Sequence, residues 1–190
     1  MRWAAGILGK AGKKITQRDM ELLLTKTGTD MGNLRMEMEK LISYTEGRDV
    51  VTAEDIEEIC TTQTTNRIFD MVRAVTEKNQ KRALELYYDL LTLKEPPMRI
   101  LFLLAKQYRQ LLLAKQFAAA GLAQTEIASK LGVPGFVVRN ITTCARAYTI
   151  SELEQAVKDF VDAEESVKTG RLEDKLSVEL LIIKYSSKVK

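Results

Sequence analysis

Histidine is absent from all 190 residues. Its absence removes the commonest general base and the commonest nitrogen ligand for a metal ion. Cysteine is scarce. Cys60 and Cys144 are too far apart for a metal-binding spacing and too few for a disulfide framework, so they read as ordinary apolar-face residues. Only 3 prolines and 10 glycines interrupt the chain, so helices should dominate. Long hydrophobic runs are missing too. The longest wholly apolar stretch is Ile100 to Ala105, far short of the roughly 20 residues a membrane-spanning helix needs. The apolar patch in "MRWAAGILGKAGKK" stops at Lys10, Lys13 and Lys14, too soon for the core of a signal peptide. The glycines of "GILGKAGKK" are too close together for a phosphate loop, and no Lys-Ser or Lys-Thr follows them. The adjacent acids Glu57-Glu58 and Glu164-Glu165 lie in charged helical stretches and read as solvated faces. These absences predict no catalytic residue, no metal site and no cofactor, in a cytoplasmic chain without a membrane segment.

What is present is helical periodicity almost throughout, and the expected fold class is all-α. Thr16 with Asp19, Thr52 with Asp55 and Thr149 with Glu152 each place a hydroxyl cap three residues before an acid. The first pair opens a helix that ends near Gly28. A second helix starts around Asp30, with Leu34, Met38, Leu41 and Ile42 on one stripe, and Gly47 closes it. Ile56 and Ile59 continue the apolar face of a third. Residues 1–62 are therefore expected to form a small three-helix bundle. The polar stretch "CTTQTTNR" reads as a linker to a larger helical domain over residues 63–190. Pro96-Pro97 should start the longest helix, "MRILFLLAKQYRQLLLAKQFAAA", which is apolar around most of its circumference and is expected at the centre of that domain.

Charge divides unevenly. Residues 1–62 carry a net charge of −2 and residues 63–190 a net charge of +5. Between residues 96 and 146 stand seven basic side chains (Arg99, Lys106, Arg109, Lys115, Lys130, Arg139 and Arg146) against the single acid Glu126. Such a stretch suits phosphate or an acidic protein face, and equally suits long side chains reaching for solvent. Arg99, Lys106, Arg109, Lys130, Arg139 and Asn140 are the candidate contacts for DNA or an acidic partner.

Inside that stretch, "LAQTEIASKLGVPGFVVRNI" has the form of a helix-turn-helix. Ile127, Ala128 and Leu131 would face inward, Gly132 would make the turn, and Val133, Val138 and Ile141 would dock the second helix. A base-reading helix exposes polar side chains at its N-terminus. Here those positions hold Pro134, Gly135 and Phe136, leaving Arg139 and Asn140 to make a phosphate contact and one base contact. The stretch therefore reads as a packing unit. The alternative is a helix-turn-helix DNA-binding regulator using residues 122–147.

Four blocks in order carry a wider resemblance: "DMGNLRMEMEKLISY"; "VTAEDIEEI" leading into "NRIFDMVRAV"; "PPMRILFLLAKQYRQLLLAK" with "GLAQTEIASKLGV"; and "KTGRLEDKLSVELLIIKY". Together they resemble the delta subunit family of the bacterial DNA polymerase III clamp loader. The resemblance implies that residues 1–62 are the helical lid of an AAA+ module. It implies that residues 63–190 are a collar domain through which clamp-loader subunits join in a ring. It further implies a non-catalytic subunit of the holoenzyme, partnered by the other clamp-loader subunits and working beside DNA without reading its sequence. Arg35 in "GNLR" matches the position of a nucleotide sensor in ATP-hydrolysing relatives, but the delta family does not hydrolyse ATP. Arg35 is thus a positional echo, better read as an exposed arginine with Glu39 four residues on. The family's N-terminal domain, which grips the sliding clamp, has no counterpart in this sequence. The chain reads as a C-terminal fragment whose link to the clamp would run through that domain.

Overall fold

Eleven helices and one minimal pair of strands make up the computed structural model, which describes residues 2–28, 30–61 and 64–187. The chain divides into two compact units, residues 1–66 and 67–190.

The first unit contains α1 (Arg2–Lys10), β1 (Lys14–Ile15), α2 (Gln17–Thr27), α3 (Met31–Tyr44), β2 (Val50–Val51) and α4 (Ala53–Ile59). Local chemistry sets its helix starts. Thr16 Oγ1 accepts from the Asp19 N–H at 3.1 Å, and Asp30 Oδ1 accepts from the Asn33 N–H at 2.9 Å. Thr52 and Asp55 cap each other reciprocally, satisfying two amides that a helix start leaves without partners. Gly28, with φ of 78°, ends α2, and Asn33 and Asn66 each donate a side-chain amide at 2.8 Å to a carbonyl of its last turn. Leu8, Leu23, Met38, Leu41, Val51 and Ile56 fill the core. Cys60 lies beside it, and burial pushes its thiol up to about 11, so it stays protonated at neutral pH.

This unit departs from the three-helix expectation in two ways. The N-terminal stretch forms a fourth helix, α1, which buries Ala4 and Leu8 although Gly6 and Gly9 weaken its helical signal. The chain also makes a two-residue parallel bridge, Lys14 against Val50 and Ile15 against Val51. Lys13 holds the same corner, its Nζ donating at 2.7 Å to the carbonyls of Thr45 and Arg48. The linker read at "CTTQTTNR" falls partly on residues 62 and 63, outside the described residues, and from Thr64 the chain is already helical.

The second unit holds α5 (Thr64–Thr76, beginning just before the division), α6 (Gln80–Thr92), α7 (Pro97–Ala119), α8 (Gln124–Leu131), α9 (Gly135–Ala145), α10 (Ile150–Lys168) and α11 (Asp174–Ser186). Pro97 opens α7 at its first helical position, where the missing N–H costs nothing. At 23 residues α7 is the longest helix and packs against α8, α9, α10 and α11. Ile100, Leu101, Leu104, Tyr108, Leu111 and Ala114 form its buried side. Around Tyr108, the hydroxyls of Tyr108 and Tyr148 meet at 3.1 Å. The Phe160 and Tyr185 rings lie 5.0 and 5.5 Å from the Tyr108 ring, and the Tyr185 hydroxyl donates to Asp159. Buried hydroxyls in an aromatic core need such partners. Lys78 follows α5 and Lys94 follows α6, both in the left-handed region with φ of 57° and 61°.

Candidate interaction surface

The circumference of α7 is less completely buried than its composition suggests. Arg99, Phe102, Lys106 and Arg109 follow one another at steps of three, four and three, and all four are exposed. That spacing returns to one side of a 3.6-residue helix. Phe102 is 63% exposed, the largest exposure among the big apolar side chains. Arg99 is held by Glu95 one turn earlier at 3.1 Å. Among the described residues, Lys106 and Arg109 have no acid within salt-bridge distance. Further along the same side, the half-buried Phe117 receives Lys130 from α8, whose Nζ lies 5.6 Å from the ring centroid. The fold thus brings four of the six candidate residues to one helix and its neighbour.

Arg139 and Asn140 stand elsewhere, on the exposed side of α9. The inner side of that helix buries Phe136, Val138, Ile141, Cys144 and Ala145. Gly132 closes α8 in the left-handed conformation, φ 65° and ψ 32°, as the turn requires. Phe136 is a correction to the expected reading head, since it is only 8% exposed and belongs to the core. Of the three residues placed at the entry of the second helix, Pro134 and Gly135 alone reach the surface. The neighbouring basic residue Lys115 is also drawn inward, donating at 2.9 Å to the Ala145 carbonyl at the end of α9.

A second surface was missed by the sequence reading. Helix α11 carries large apolar side chains on more than one side. Val178, Leu181 and Ile182 enter the core, while Leu176 and Leu180, one turn apart, stay 41% and 47% exposed. On the adjoining α6, Tyr88 is 47% exposed and its hydroxyl donates to Glu179 of α11 at 2.8 Å. The signal available in the sequence was "LSVELLII", whose apolar residues cannot all share one face.

In the first unit, Arg35 is exposed on α3 and its Nε meets Glu39 Oε1 at 2.9 Å. Met31 and Met36 flank it, each 58% exposed. Among the described residues there is no cluster of metal-ligating side chains, and no helix is long and apolar enough to cross a membrane.

Residues 65–185 match the family model described as DNA polymerase III delta subunit, C-terminal domain. The chain belongs to the DNA polymerase III delta subunit family. It is 27% identical over 171 residues to the DNA polymerase III subunit delta of Bacillus subtilis, covering 90% of this chain and 49% of that protein. It is 23% identical over 123 residues to the probable DNA polymerase III subunit delta of Aquifex aeolicus, covering 64% and 35%. The chain therefore spans about half the length of the first of these delta relatives and about a third of the second. The fold matches the solved Bacillus subtilis DNA clamp loader delta protein with a TM-score of 0.86 at 24% identity, over 98% of this chain and 55% of that one. The all-α reading and the delta family resemblance both hold.

Proposed function

We propose that this chain is a non-catalytic, cytoplasmic scaffold within a clamp loader, the assembly that places a sliding clamp on DNA during replication. Residues 1–62 act as the helical lid of an AAA+ module. Residues 63–190 act as the collar that docks onto the neighbouring subunits. The observation that carries the reading is the second apolar side of α11. Leu176, Leu180 and Tyr88 are large apolar groups exposed beyond what the domain's own core uses, and a contiguous patch of that kind marks a protein interface. The basic residues Arg99, Lys106, Arg109, Lys130 and Arg139, with Asn140, add contact with nearby DNA that carries no sequence preference. Arg35, paired with Glu39, has no nucleotide role in this proposal.

Co-elution with the other clamp-loader subunits on size exclusion tests it. The wild-type chain joins the complex, and the double substitution Leu176→Asp with Leu180→Asp leaves it while keeping its helical circular dichroism. A folded wild-type chain that elutes alone beside a competent set of subunits would refute the collar assignment.

A further inference from the structure

We infer that the exposed side of α7, extended by Lys130, is a track for single-stranded nucleic acid. The inference deepens the DNA contact proposed above, on which it rests, by naming the strand class; it does not depend on the collar docking. From Arg99 to Phe117 the track runs about 27 Å at 1.5 Å per residue. Along it, two phenyl rings stand among four cations: Arg99, Phe102, Lys106, Arg109, then Phe117 with Lys130 over its face. Among the described residues, Lys106 and Arg109 are free of salt bridges, so phosphates would not have to displace a partner there. Arg99 is partly neutralised by Glu95 and marks the weaker end.

Three classes of polyanion could meet such a surface, and its shape separates them. A duplex keeps its bases stacked inside, so an exposed Phe102 would find no ring face there. An acidic protein helix docks in an apolar groove, whereas this track is the convex ridge of one helix with few apolar side chains. A single strand has accessible base faces as well as phosphates. Basic residues interleaved with aromatic rings are the pattern that binds it without regard to sequence.

Fluorescence anisotropy of a labelled 20-nucleotide oligo(dT), read with the intact chain, tests the assignment. With Lys106, Arg109 and Lys130 on phosphates, affinity should fall about 20-fold between roughly 50 and 200 mM salt, following a log–log slope of about −2. Arg109→Ala should flatten that slope by about 0.7. Phe102→Ala should weaken binding about 5- to 100-fold and leave the slope unchanged. Phe102 is too exposed for its loss to unfold the domain. Lys106→Glu with Arg109→Glu should abolish oligo(dT) binding while the chain still co-elutes with its subunits. Three results would overturn the inference: no oligo(dT) binding by a folded chain, binding that none of these variants alters, or a tighter complex with duplex of the same length. A fourth outcome, in which the double charge reversal removes a subunit partner but leaves oligo(dT) bound, would make the track a protein interface and equally reject the proposal. Loss of co-elution on α11 substitution bears only on the scaffold reading, which keeps the two failures distinct.

Discussion

Lys78 and Lys94 share a backbone conformation and differ in what their side chains do, so replacing each by glycine should change stability in opposite directions. Both follow a helix with positive φ, and both N–H groups turn back to a carbonyl of the last helical turn, Lys78 to Val75 at 3.0 Å and Lys94 to Leu91 at 2.9 Å. A side chain in the left-handed region costs about 1–2 kcal/mol. Glycine removes that strain but gives back about 0.5–1 kcal/mol through the greater freedom of the unfolded chain. The side chain of Lys94 stands in solvent, so Lys94→Gly should stabilise by about 0.5–1 kcal/mol. The Lys78 Nζ instead donates to the Tyr185 carbonyl at 2.9 Å and sits 5.6 Å from the centre of the Tyr148 ring. Those contacts, discounted for partial exposure, contribute about 1–2 kcal/mol together. Lys78→Gly should therefore destabilise by about 0.5–1 kcal/mol once the backbone gain is subtracted. Urea titration followed by near-ultraviolet circular dichroism suits the comparison, because five of the six tyrosines belong to the second unit and the lone tryptophan, Trp3, reports the first. Equal stabilisation by both substitutions would refute the claim that the Lys78 side chain clasps α11.

Gly132→Ala should cost about 1 kcal/mol in the same titration. A methyl group there meets nothing within 4 Å, so the loss would be backbone strain alone and the midpoint, not the m-value, would move. Phe136→Ala should destabilise by about 3–5 kcal/mol, while Arg139→Ala on the outer side of the same helix should stay within about 0.5 kcal/mol. Equal effects would mean that Phe136 is not in the core. Burial pushes the Asp55 carboxyl up, but hydrogen bonds from the Thr52 backbone N–H and from Arg48 outweigh it and leave the pKa lowered. A lowered native pKa adds stability that is present above the ordinary carboxylate range and is lost as pH falls through the native value. Trp3 fluorescence should therefore report a first unit that weakens below about pH 4, and Asp55→Asn should make that weakening shallower.

Features that depend on a few neighbouring residues were legible in the sequence. The caps at Thr16, Thr52 and Thr149 need only a hydroxyl and an acid three positions on, and all three form. Pro97 and Gly132 likewise act within one turn of their own backbone. What escaped is set by distant partners. Helix α1 carries two glycines, and packing of Ala4 and Leu8 against the rest of its unit holds it in place. The bridge of β1 to β2 pairs residues 36 positions apart over two rungs, too short for alternation to register. Glu37 reads as one more surface acid, yet it is 4% exposed, accepts from the Thr61 N–H at 3.1 Å and meets Lys40 at 2.6 Å. The candidate surface divides in the same way. Arg99, Lys106 and Arg109 share a side of α7 by spacing alone, but that Lys130 joins them and Arg139 does not is decided by how α8 and α9 fold back. Phe136 was misplaced because a motif's usual exposure was transferred to a helix whose apolar side is wider than the motif requires.

The clasp between Lys78 and Tyr185 also bears on the order in which the second unit forms as it leaves the ribosome. Its two ends are 107 residues apart, and Tyr87 reaches the Lys175 carbonyl across a gap of 88. Helix α6 therefore emerges with its inner face, Leu86 and Leu90 among it, waiting for α11, a partner that is translated about 100 residues later. At roughly 5–20 residues per second that interval lasts about 5–20 s, far longer than helix formation takes. During that time α7 can gather α8, α9 and α10, and α11 then arrives as the closing element. A nascent chain halted before Leu176 should show this as a helical, protease-sensitive state that becomes resistant only when α11 is released.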